Sequence, residues 1–216
     1  MPSVTRSARQ GGRDSRKASE EALLRATERL LGAGHRFTEL SVEQLATAAG
    51  TSRSTFYVYF RDKGDLIGRL TMRVADELVG AFDRWRSVAA EASIEDLREA
   101  TVSMLGVYQQ HQVVLAALVE TATYDPEAAA VFNRTMAEFS LKTGSAIDVV
   151  REAGRARPDL PEGLAEVLTL MVERSCYLLA RGADEERRAR LADVFTHVFW
   201  NAIYAPSEAT FGEEIP

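Results

Sequence analysis

The chain is 216 residues long, 46% hydrophobic and 27% charged, with a formal net charge of −6, which suits a globular protein holding one large domain or a small one joined to a larger one. No apolar run approaches the roughly 18 residues needed to span a membrane, and no hydrophobic signal core opens the chain. The single cysteine, Cys176, excludes an intramolecular disulfide and a multi-cysteine zinc site, so the chain reads as cytoplasmic with one buried thiol.

Residues 1–18 lack periodicity and carry Arg6, Arg9, Arg13, Arg16 and Lys17, which reads as a flexible basic arm. Such an arm either reaches into a DNA minor groove or stays a solvated tail. Ser19 opens a helix with Leu23, Leu24, Thr27, Leu30 and Leu31 on one face, ending near Gly32 or Gly34. Phe37 then enters a small core. Ser41 caps a short helix whose Val42, Leu45, Ala46 and Ala49 recur at helical spacing. Gly50 stands where a tight turn needs positive φ, and Ser52 caps a second helix. Phe56 and Phe60 share that helix's inner face, leaving Arg53, Ser54, Thr55, Tyr57, Val58 and Tyr59 on the others. Solvent-facing helices rarely carry that mixture, whereas a helix in the DNA major groove can use all of it. The expectation is a helix-turn-helix that binds double-stranded DNA.

Charge agrees with that placement. Residues 1–70 hold 12 Lys and Arg against 8 Asp and Glu, a net of +4, while residues 71–216 hold 14 against 24, a net of −10. The basic end coincides with the helix-turn-helix, as phosphate neutralisation requires. The acidic remainder needs another role.

Asp62 caps a long helix from Lys63, with Leu66, Ile67, Leu70, Val74, Leu78 and Phe82 along it, a stiff connector into a second domain. Ser93 to Asp96 resembles a capping box before a helix to about Gln110. A separate helix is expected from Gln112 to Tyr124, and Asp125-Pro126 starts another to about Gly154. Arg155 to Leu160 is a loop, Pro161 opens a helix to about Arg181, and Asp184 opens the last, to about Tyr204. Strand alternation is absent. The expected fold is all-α. Its expected domains are the arm 1–18, a three-helix DNA-binding domain 19–65, a larger helical ligand-binding and dimerisation domain 66–206, and a tail 207–216.

Between Val167 and Ala180 only Glu173 and Arg174 are charged. In the last helix Leu191, Val194, Phe195, Val198, Phe199, Ala202 and Ile203 form a wide stripe. A monomer would bury both helices against its own core; a homodimer would bury them in a two-fold four-helix interface. The dimer is the favoured reading, with Leu191, Val194, Phe195, Val198, Phe199 and Ala202 as interface, because helix-turn-helix proteins gain affinity from paired half-sites.

The run Thr55, Phe56, Tyr57, Val58, Tyr59, Phe60 and then Lys63 resembles the signature of the TetR family of bacterial transcriptional regulators. That resemblance implies a homodimeric repressor that binds an operator and is released when a small molecule occupies the second domain; some members activate instead. It places Arg53, Ser54 and Thr55 at base-edge or nearby backbone positions, and Tyr57, Tyr59 and Lys63 against phosphate. Ser41 and Ser52, at the two helix starts, and Val58, able to meet a thymine methyl, complete the expected DNA-binding set. The Leu170–Arg174 segment and the ending from His197 to Tyr204 are similar to the mycobacterial ethionamide-resistance repressor subgroup. By that likeness Leu97, Thr101, Met104, Tyr108, Phe132, Met136 and Phe139 line a site for a mostly apolar effector. Thr169 and Val172 stand where the subgroup has asparagines, which removes one polar anchor and weakens another, and Glu173 lies beside them.

Enzyme chemistry finds no support in the sequence. His35, His111 and His197 are scattered, and no glycine-rich phosphate loop or nucleophile elbow occurs. The expectation is therefore no catalytic residue, no metal and no cofactor. An architectural DNA-binder would not need so large an acidic second domain; a regulator answering to a protein partner, or to no ligand, is the alternative.

Overall fold

The computed structural model describes residues 4–205, with side chains from residue 17 onward apart from Ala81. The regular elements are α1 (Val4–Gly32), α2 (Val42–Ala48), α3 (Arg53–Tyr59), α4 (Lys63–Val88), α5 (Ile94–Ala122), α6 (Pro126–Glu152), α7 (Leu164–Ser175) and α8 (Glu185–Ile203). A short 3-10 turn, Phe37–Glu39, precedes α2, and α7 runs on into a π-helical stretch, Cys176–Ala180. The fold is all-α, and among the described residues the lone β pairing is an isolated bridge between Ala156 and Tyr204.

Three boundaries differ from the sequence reading. Helix α1 begins at Val4, so most of the expected arm is helical; arginine and lysine favour helix, and extending an existing helix needs no new nucleus. The expected tail, 207–216, lies outside the described residues. Helix α5 is continuous through Gln109-Gln110-His111-Gln112, because glutamine is a good helix former and no glycine or proline interrupts it. That makes α5 long and apolar enough, by length and composition, to cross a membrane, although polar residues such as Gln109 to Gln112 interrupt its apolar runs. Helix α7 starts at Leu164 rather than Pro161, since Gly163 sits at φ 79°, outside the helical region.

The chain divides into two compact units, Met1–Met72 with Val113–Phe132, and Arg73–Gln112 with Asn133–Pro216. In the first, Leu23, Phe37, Leu45, Phe56, Phe60, Leu66, Ile67 and Leu70 are almost fully buried. Gly64 and Gly68 let α4 meet the start of α6 closely. A Cβ on Gly64 would stand 2.7 Å from Asp125 Oδ1, and one on Gly68 would stand 3.0 Å from Val131 Cγ2. Asp125 cannot swing aside freely, because its Oδ1 accepts from the amides of Glu127 and Ala128 at 2.9 and 3.0 Å and so caps α6. Arg61 pairs with Glu127 at 2.7 Å.

The second unit packs around Trp85, Leu97, Ile147, Leu168, Ile203 and Tyr204. The Trp85 indole N–H donates to the Tyr204 oxygen (3.3 Å), whose own proton goes to the Ala89 carbonyl (3.2 Å). Arg155 lies over the Tyr204 ring and donates to the Ala90 and Ala92 carbonyls.

Candidate functional site

The helix-turn-helix is set by local capping. The Gln44 amide donates to Ser41 Oγ (3.2 Å) and the Ser41 amide to Gln44 Oε1 (2.8 Å), a reciprocal box at the start of α2. At its end the Gly50 amide bonds the Thr47 carbonyl (3.0 Å) and the Thr51 amide the Ala46 carbonyl (2.9 Å), a Schellman pattern that holds Gly50 at φ 68°. Ser52 then caps α3, accepting from the Thr55 amide at 3.1 Å, with the Ser54 and Thr55 hydroxyls at 2.8 and 2.9 Å. Ser41 and Ser52 therefore serve first as caps.

Helix α3 buries Phe56, its C-cap residue Phe60 is buried beside it, and the other faces of the helix turn outward. Tyr57 is 48% and Val58 63% exposed; Arg53 and Ser54 are exposed, and Thr55 and Tyr59 half-buried. The Arg53 guanidinium lies 5.8 Å from the Tyr57 ring centre. The expected DNA-facing residues of α3 thus share one short, rigid helix. Arg69 is the anchor that sequence reasoning missed: it donates to Glu20 (2.7 Å) and to the Tyr59 carbonyl (2.9 Å), and lies over the Phe60 ring. Only its spacing of four from Asp65 hinted at a role.

Lys63 is placed differently from a solvent-facing phosphate contact. Its ammonium donates to the Leu40 carbonyl at 2.6 Å and the Thr38 carbonyl at 3.3 Å, and stands 5.1 Å from the Phe37 ring centre. Burial pushes its pKa down. Lys63 thus ties the start of α4 to the 3-10 turn. Lys63→Met should keep the stem packed, orphan those carbonyls and destabilise the free protein by about 1–3 kcal/mol. Thermal melts without DNA check this; an unchanged melting temperature would leave Lys63 with a phosphate role alone.

Of the expected ligand-site residues, Leu97, Thr101 and Tyr108 are buried, while Met104, Phe132, Met136, Phe139, Thr169, Val172 and Glu173 are half-buried. Phe132 belongs to the first unit and the others to the second. Leu97 is also part of the second unit's core cluster. Thr101 and Thr169 spend their hydroxyl protons on the carbonyls one turn back, Leu97 and Ala165, both at 2.8 Å. Of these ligand-site residues, two keep a buried polar atom without a hydrogen-bond partner, the Tyr108 hydroxyl and Glu173 Oε1.

Burial pushes the Glu173 carboxyl up from its ordinary value, against the weaker pull of Arg174, and pushes the Cys176 thiol up to about 12, with Glu173 adding to it. A carboxyl with a raised folded pKa contributes stability below its unfolded value of 4.5 that is lost as pH rises through the folded value. Glu173→Gln should therefore melt higher than the parent at about pH 7.5, with the gap closing towards about pH 4.5. Parallel melts across that range decide it; identical curves would mean that Glu173 is solvated.

The expected interface residues separate into two groups. Leu191 and Phe195 are buried within the chain at 8% and 2% exposure. Val198, Phe199 and Ala202 pack against the second unit's own core. Val194 alone of the six is exposed, at 55%, and it lines a shallow depression with Leu179, Arg187, Arg190 and Leu191. The expected interface list did not include Val167, Leu170, Leu178 and Leu179, all exposed apolar side chains on α7 and the π-helical stretch, although the helix was expected in the interface. Their signal was the sparse charge between Val167 and Ala180.

Comparison with known proteins locates both halves of the chain. The family described as "Bacterial regulatory proteins, tetR family" matches residues 23–70, and "Transcriptional regulator EthR, C-terminal domain" matches residues 97–205. The HTH-type transcriptional regulator EthR of Mycolicibacterium smegmatis is 31% identical over 211 residues, covering 94% of this chain and 92% of that protein. Its namesake from Mycobacterium tuberculosis is 29% identical over 207 residues, covering 94% of each. The crystal structure of NalD, the secondary repressor of the MexAB-OprM multidrug efflux pump in Pseudomonas aeruginosa, shares the fold with a TM-score of 0.65 at 20% identity, over 89% of this chain and 98% of that one.

Proposed function

The chain belongs to the TetR family of bacterial regulatory proteins, and from that premise we propose that it is a cytoplasmic repressor that binds a palindromic operator as a homodimer and is released by a mostly apolar small molecule. The observation that carries the proposal is α3, which with its C-cap buries Phe56 and Phe60 and presents Arg53, Ser54, Tyr57 and Val58 outward from a helix capped by Ser52. Arginine can offer two donors to guanine, tyrosine hydroxyls reach phosphate, and an exposed valine suits a thymine methyl. Such a helix would read one half-site. A two-fold pair would read two half-sites about 34–36 Å apart.

The second unit supports the sensing half of the proposal. Met104, Met136, Phe139 and Val172 leave partly buried apolar surface there, and the family matched over residues 97–205 is the C-terminal domain of a transcriptional regulator. A ligand shifts the protein only by its preference for the released state over the DNA-bound one.

The test begins with an operator selected from random duplexes. Parent protein should bind it with strong salt dependence and prefer it over scrambled DNA. Arg53→Ala should relax the preference at particular base pairs by roughly 1–3 kcal/mol. Ligand affinity is then measured with and without operator, and should be weaker with it. Equal affinity in both would remove ligand release; selection that recovers no preferred sequence would remove the operator.

A further inference from the structure

Among the described residues of the second unit, the buried side-chain atoms without a hydrogen-bond partner belong to Tyr108 on α5 and Glu173 on α7. Tyr108 keeps 8% of its surface exposed and the Glu173 side chain 13%. Protein interiors bond the great majority of such groups, so a pair of orphans in one region needs a cause. The other Glu173 oxygen lies 3.7 Å from the exposed Arg174, too far for a hydrogen bond. Glu173 and Tyr108 are electrostatic neighbours, since the carboxylate opposes ionisation of the phenol, yet they do not bond each other. The remaining charged or titratable groups acting on Tyr108 are Cys176, Tyr177 and the cation Arg181. Directly after this point the helix widens into the π-helical stretch Cys176–Ala180, a distortion often found at functional sites.

The chemistry of the pair selects among ligand groups. A ligand carboxylate would face the Glu173 carboxylate. A carbonyl would accept the Tyr108 proton and leave Glu173 unbonded. A hydroxyl could bond both without offsetting the buried negative charge. An ammonium donates to both oxygens and neutralises that charge.

We infer that the effector is an apolar molecule bearing one protonated amine, whose nitrogen donates to Glu173 Oε1 and to the Tyr108 oxygen. The inference rests on the ligand-release reading above, but it fails separately from it.

Three probes share one frame and differ in the head group: phenylbutylamine, phenylbutanol and phenylbutyrate. In titrations against the full chain the amine should bind at least about tenfold tighter than the alcohol, as a charge-assisted bond implies, with the carboxylate weakest. Glu173→Gln, whose folding a melt confirms, should bring amine and alcohol to within about twofold. Tyr108→Phe should weaken the amine several-fold. Alcohol binding as tightly as amine, or an amine preference retained in Glu173→Gln, overturns the inference and leaves a neutral ligand as the effector. No binding by any probe overturns the inference, while ligand release stands or falls on the titrations with and without operator. Amine binding that operator does not weaken removes release while keeping the amine site.

Discussion

Phe56→Ala is expected to cost about 3–5 kcal/mol and to remove operator binding altogether. The ring is fully buried, 5.4 Å between centres from Phe60, and meets the Tyr57 ring edge-on at the same distance. It fixes the rotation of α3, and with it the direction of every side chain offered to DNA. Domains of this kind hold only about 5–15 kcal/mol in total, so the loss is a large share of what keeps the module folded. Melts should show an earlier transition, and operator affinity should fall by more than about a hundredfold. Phe56→Leu, which keeps apolar volume, should recover part of both. Arg53→Ala gives the contrast: its side chain is exposed, so base preference should relax without a change in melting temperature. A parent-like melt for Phe56→Ala would mean that α3 is held by something other than its inner face.

The parts of this molecule legible in sequence are those decided within three or four residues of chain. Ser41, Ser52 and Asp184 cap the helices that follow them, and Ser93 with Asp96 forms a reciprocal box with aspartate in the place usual for glutamate. Gly50 takes the left-handed turn because the carbonyls it must serve lie in its own preceding helix. Lys63 was not legible in the same way. Its carbonyl partners lie 23 and 25 residues upstream and are delivered by packing. Nor was the division of the α8 stripe, since Phe195 and Val194 are equally apolar neighbours and only the approach of other helices buries one and leaves the other exposed. The expected ligand-site residues were legible as an apolar composition with a few hydroxyls, but which hydroxyls are already spent was not. Thr101 and Thr169 give their hydroxyl protons to backbone carbonyls, which leaves only their oxygen lone pairs for a ligand.

The double variant Val194→Lys with Leu179→Lys is expected to yield a folded monomer. Both side chains are exposed in the single chain, so neither substitution removes a contact on which its fold depends. They line the same shallow depression, so they would enter an interface together. An isologous two-fold contact contains every substitution twice. Losing about 1.5–3 kcal/mol of burial per apolar side chain, doubled by symmetry, should weaken self-association well beyond about a hundredfold. Lysine is preferable to aspartate here, because Arg187 and Arg190 flank the depression and would neutralise a carboxylate. Changes at Val198 or Phe199 would be less informative, since those side chains pack on the second unit's own core and would report on folding instead. Sedimentation should give a dimer for the parent and a monomer for the variant, with the monomer's melting temperature little changed. On DNA, the variant should lose the advantage of two half-sites over one while keeping its base preference, because α3 is untouched. A variant that still sediments as a dimer would place the interface on another face, and a monomeric parent would remove the two-fold reading and the palindrome with it.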